Sequence, residues 1–146
     1  AAPLILSRDM YRQHAKARAS DADVPSGVIV NLLDQKLANL NPDFLSYTLS
    51  KSALHSATTL LAQSFAPILR VVGVAPGITM VSGEQSEDGF MKAHAMTPLG
   101  KSSTPDDIAG AVVYLSNSQA ITGTTLYVDG GQHLLPTDRD VMFLTE

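Results

Sequence analysis

The chain has 146 residues, 45 % apolar and 16 % charged, with a net charge of −4 and a pI near 5.4. That length suits one domain and that apolar content argues against disorder. The absence of any basic run excludes nucleic acid as an expected partner, the absence of Cys excludes a disulfide framework or thiolate metal site, and no apolar stretch approaches the ~20 residues of a membrane span.

Residues 3 to about 18 read as a helix, with Pro3 tolerated in its first turn and His14, Lys16 and Arg18 suited to its last turns. A polar loop follows, holding Pro25 and Gly27. Residues 28–33 form a short apolar run rich in β-branched side chains, read as a buried parallel strand. The next helix is expected from Pro42 to about Ala66, with Asn41 as N-cap and Leu45, Leu49, Ala53, Ala57, Leu60 and Leu61 at helical spacing. Pro67 stops it. A second buried strand spans residues 68–75 and ends at Pro76-Gly77. A flexible stretch with Gly83 and Gly89 follows, and residues 86–95 are read as a short helix. Thr104, Pro105 and Asp107 make a capping-box-like start for a helix reaching about Leu115. Residues 122–129 are a third strand, Gly130-Gly131 a turn, and the tail from Leu134 to Glu146 has no clear period.

Helix and strand alternate, which argues for right-handed βαβ units and a parallel sheet. Three strands alone would leave the apolar run 28–33 at an edge. The chain also has no Gly-rich phosphate loop of the strand–GxGxxG–helix kind. The reading is therefore an α/β fold: the C-terminal half of a doubly wound (Rossmann-type) parallel sheet, one partial domain over residues 1–146. Ligands of such folds bind beyond the carboxyl ends of the strands, where Asp34 and Pro76-Gly77 fall.

Tyr47 and Lys51 are four apart on one helix face, and Asp34 lies thirteen residues before Tyr47 at a strand end. An acid, a phenol and an amine converging there make a candidate proton-transfer site. A free phenol has a pKa of about 10; an ammonium one turn away lowers it toward general-acid work. Read singly, Tyr47 and Lys51 also suit an ordinary amphipathic pair, and Asp34 a loop-starting turn residue. Asp129-Gly130-Gly131 reads as a structural turn, and Asp106 and Asp107 as helix-start charge. His14, His55, His94 and His133 lack metal-ligand spacing, so no metal is expected. Met80, Met91 and Met96 read as lid or core packing.

Taken together, Tyr47-x-x-x-Lys51, Ala75-Pro76-Gly77 after a strand, Ile121-Thr122-Gly123 before a strand and Val128-Asp129-Gly130-Gly131 after it resemble the C-terminal half of the short-chain dehydrogenase/reductase family. Asp34, where most members carry Ser, resembles the pteridine reductase branch. The family's tetrad Asn would fall just before Ala1, and its first strands and Gly-rich loop are not in the chain.

The resemblance implies an NADPH-dependent reductase of dihydropterin or dihydrofolate type, with Tyr47 as proton donor and Lys51 bonding the nicotinamide ribose. Tyr47, Lys51, Pro76, Gly77, Ile78 and Thr79 would bind cofactor, and Asp34, Tyr47 and Gly77 substrate. Gly77 would let the backbone approach a ring. Thr79 would bond a phosphate or carboxamide, and the stretch 80–97 would form a lid. A carboxyl at Asp34 suits an amino-substituted ring better than a simple ketone. The runner-up is a general carbonyl or 3-oxoacyl reductase. A reading of another class is an inactive fragment or binding remnant without cofactor. A cytoplasmic homotetramer is expected, with the tail 139–144 touching a neighbour's site.

Overall fold

A computed structural model describes residues 1–81 and 85–145, so Gly83 lies outside the described residues. The elements run α1 (Ala2–Ser20), β1 (Gly27–Leu32), a 3-10 turn (Gln35–Ala38), α2 (Leu45–Phe65), β2 (Leu69–Pro76), α3 (Glu87–Ala95), α4 (Pro105–Asn117), β3 (Thr125–Val128), a second 3-10 turn (Gln132–Leu134) and α5 (Met142–Thr145). The three strands form one parallel sheet in the order β1-β2-β3. Gly27 pairs with Leu69 and Leu32 with Val74; Gly73 pairs with Thr125 and Pro76 with Val128.

β2 organises the core because it is central and alternates between two covered faces. Leu69 and Val71 pack with Ala62 and Phe65 of α2, and Tyr11 of α1 stacks on Phe65 at 4.5 Å. Val72 and Val74 pack on the other face against Leu115 of α4. Each buried Val, Leu or Phe among them contributes about 1.5–3 kcal/mol. Helices on both faces of a parallel sheet are the Rossmann-type arrangement the alternation predicted.

Arg70 ties β2 to the C-terminus of α4. Its guanidinium donates to the carbonyls of Leu115, Ser116 and Ile121 at 2.9–3.1 Å, which satisfies groups a helix end leaves unpaired.

The locally coded elements form where expected. Thr104 and Asp107 close a capping box on α4, and Ser86 caps α3 by accepting from the Gly89 amide at 3.0 Å. Three readings change. β1 is half-buried rather than buried, with Leu32 50 % exposed, because it is an outer strand. β3 is shorter than the expected 122–129; Thr122 and Gly123 instead bond Val71 from the preceding turn.

The third change is at α2, which begins at Leu45 and not Pro42. Its N-cap is Phe44 at φ 55°, a left-handed conformation costing a non-Gly residue on the order of 1 kcal/mol. Tertiary contacts hold it there: Phe44 stacks on Phe143 at 5.7 Å, and the neighbouring Asp43 carboxylate is engaged by the tail.

Candidate active site

The carboxyl ends of β1 and β2 open on one cavity of about 770 Å3. β1 delivers Asp34, since the Leu33 amide still bonds Val74 O at 2.7 Å and holds the chain on the sheet to its last residue. Asp34 then caps the 3-10 turn: its Oδ1 accepts from the Lys36 amide at 2.8 Å. Its Oδ2 accepts from the Tyr47 hydroxyl at 2.6 Å. Lys51, one turn along α2, donates from Nζ to Leu32 O at 2.8 Å and lies 5.7 Å from the Tyr47 ring centre. The acid, phenol and amine singled out in the sequence therefore do converge.

The electrostatics differ from the expectation. The Tyr47 phenol is pushed up from its ordinary value rather than down. Partial burial is the largest cause, followed by the hydrogen bond to Asp34 and the negative charges of Asp34 and Asp140. The Asp34 carboxylate touches the hydroxyl directly, whereas the Lys51 ammonium donates to the Leu32 carbonyl.

Pro76, Gly77, Ile78 and Thr79 line the cavity with Asp34 and Tyr47. Gly77 has a packing role that the sequence reading did not assign. A Cβ there would meet the Ser102 hydroxyl, and would lie 2.7 Å from Asp129 Cβ and 2.9 Å from Asp129 Cα. The close approach is thus to the end of β3. The Thr79 hydroxyl donates to Gly77 O at 3.0 Å and pairs with Ser103 Oγ at 2.7 Å. Asp129 is buried and accepts from the amides of Gly131 and His133 and from His133 Nδ1, which makes it the structural turn expected. In the stretch read as a lid, Met80, Met96 and Thr97 line the cavity and Met91 does not; all three methionines are exposed.

The tail makes contacts within the chain that the sequence did not reveal. Arg139 Nε donates to both oxygens of Asp43 at 3.1 and 2.8 Å, and the Asp140 amide donates to Asp43 Oδ2 at 2.7 Å. These contacts hold the Asp43 carboxyl below the usual carboxylate range. Lys36 Nζ pairs with Asp140 Oδ2 at 3.0 Å, and Lys36, Asp140 and Met142 join the cavity lining. No local spacing could have linked Lys36 to Asp140, 104 residues away; a charged pair embedded in an apolar tail was the only hint.

Among the described residues no group of three or more His, Cys, Asp or Glu could hold a metal ion, and no helix is long and apolar enough to cross a membrane.

Comparison with known proteins adds to this geometry. The family described as enoyl-(acyl carrier protein) reductase matches residues 10–133. 3beta-hydroxysteroid dehydrogenase 1 of Eggerthella lenta is 37 % identical over 117 residues, covering 75 % of this chain and 45 % of that protein. Granaticin polyketide synthase putative ketoacyl reductase 2 of Streptomyces violaceoruber is 34 % identical over 116 residues, covering 75 % and 46 %. Among solved structures, FolM alternative dihydrofolate reductase 1 from Brucella canis, complexed with NADP, superposes with a TM-score of 0.81 at 38 % identity, over 91 % of this chain and 50 % of that one. The chain spans about half the length of the curated relatives it matches.

Proposed function

We propose, since the chain belongs to the short-chain dehydrogenase/reductase family, that the complete protein is an NADPH-dependent reductase of dihydropterins or dihydrofolate, with Asp34 and Tyr47 as its proton-handling pair. The observation that carries this reading is the 2.6 Å hydrogen bond from the Tyr47 hydroxyl to Asp34 at the cavity wall. The likeness to an NADP-complexed dihydrofolate reductase supports the substrate class.

The residues present suit the nicotinamide end of the cofactor. Lys51 has one proton committed to Leu32 O and two left for ribose hydroxyls. The turn Pro76–Thr79 supplies a wall at the end of β2. The pyrophosphate would need a Gly-rich loop, which this sequence does not contain. When bound, NADPH supplies the hydride for a C=N bond.

The chain's own residues handle the proton. Tyr47 carries its proton at neutral pH, as an ordinary phenol does; its raised value makes that proton harder to give while Asp34 accepts from the hydroxyl, so donation follows when the Asp34 carboxylate turns to the substrate. As the substrate nitrogen gains the electron pair of the C=N bond it becomes basic and takes the phenolic proton. The Asp34 carboxylate offers acceptor oxygens to ring N–H and amino groups; a simple ketone has no donor to match them.

A second reading, reduction of 3-oxoacyl groups, is favoured by the likeness to a ketoacyl reductase. The two separate on one assay of NADPH consumption. The complete protein should turn over a dihydropterin at least about tenfold faster than a 3-oxoacyl thioester, and Asp34→Ser should shift the preference toward the thioester. A wild-type preference for the thioester, left unchanged by Asp34→Ser, would favour the second reading.

A further inference from the structure

The Asp34 carboxylate is aimed by a turn that is itself anchored from the far end of the chain. One oxygen is fixed by the Lys36 amide at 2.8 Å, which leaves the other facing the Tyr47 hydroxyl. The side chain of the same Lys36 is almost fully buried, 6 % exposed, and its ammonium pairs with Asp140 at 3.0 Å. A buried ammonium without its counter-ion is strongly unfavourable, so this pair fixes where the 3-10 turn can sit.

Asp140 is in turn held on both sides. Its amide donates to Asp43, its Oδ1 accepts from the Met142 amide at 3.2 Å, and Phe143 stacks on Phe44. Asp34, Lys36, Tyr47 and Asp140 all line the same cavity. The chain of contacts from tail to reacting pair is therefore short: Asp140 carboxylate, Lys36 ammonium, Lys36 amide, Asp34 carboxylate, Tyr47 hydroxyl.

We infer that Asp140 and Lys36 are positioning residues: the C-terminal segment holds the Asp34 carboxylate on Tyr47 through the buried Lys36–Asp140 ion pair. The inference rests on the assignment of Asp34 and Tyr47 as the reacting pair for its effect on turnover, but its geometric part stands without any substrate. Tyr47 feels the charge of Asp140, Asp43 feels that of Lys36, and the Lys36 ammonium lies 5.4 Å from the Phe44 ring centre.

Lys36→Met is the discriminating variant. Removing a positive charge and leaving Asp140 unscreened would by direct electrostatics make the Tyr47 phenol harder to ionise. Loss of the Asp34 hydrogen bond would make it easier. Ultraviolet difference titration of the complete protein, with Tyr47→Phe as the blank, reads the sign.

We expect Tyr47 to ionise at lower pH in Lys36→Met than in wild type; a rise or no change would overturn the inference. Asp140→Asn supplies a second decision. Its kcat for NADPH oxidation should fall on the order of tenfold or more, with the KM for NADPH unchanged, as misplacement of a reacting group predicts. An unchanged kcat would also overturn it. If the wild type turns over no dihydropterin, the functional reading fails while the Lys36→Met titration still decides the positioning role.

Discussion

Asp34 divides its two oxygens between a backbone amide and a phenol, and that division sets the chemistry available at Tyr47. Replacing Asp34 by Asn keeps the shape but removes the charge that, with burial, lifts the phenol. Tyr47 in Asp34→Asn should therefore ionise at lower pH, moving toward the ordinary value of about 10, as followed by ultraviolet difference titration. An unshifted midpoint would mean that the carboxylate does not control the phenol. The sequence revealed the members of this cluster, since spacings of four and thirteen residues place a helix face against a strand end. It did not reveal the balance of charge. That depends on where the Lys51 ammonium points, and the Leu32 carbonyl that captures it carries no identity in the sequence.

At the scale of elements, locally written signals were legible and long-range ones were not. Thr104 with Asp107 and Ser86 with Gly89 satisfy helix ends within a few residues, so α3 and α4 start where their caps say. Asn41 and Pro42 carry an equally good helix-start signal, yet α2 begins three residues later. Contacts from Arg139, Asp140 and Phe143 hold Asp43 and Phe44 in another conformation. Local preference is worth about 1 kcal/mol, and several tertiary contacts exceed it. Gly77 gives the matching prediction for a turn. Its missing Cβ leaves room for the backbone of Asp129. Gly77→Ala should lower stability by roughly 1–3 kcal/mol in denaturant unfolding, because a backbone neighbour cannot rotate away. An unchanged midpoint would show that the end of β3 gives way freely.

The described residues form a three-stranded parallel sheet with its core along β2 and a cavity at the carboxyl ends of β1 and β2. The alternation of elements made this architecture readable before any coordinates, because parallel strands need crossover helices. The course of the tail was not readable, since packing over the chain's own cavity rests on ion pairs spanning about a hundred residues. In the proposed reaction Tyr47 delivers the proton of an NADPH-dependent reduction. The most direct test is NADPH consumption by Tyr47→Phe in the complete protein with a dihydropterin, alongside NADPH affinity. Turnover should fall at least about hundredfold while affinity for NADPH is retained, as removal of a general acid requires. Turnover at the wild-type rate in Tyr47→Phe would contradict it.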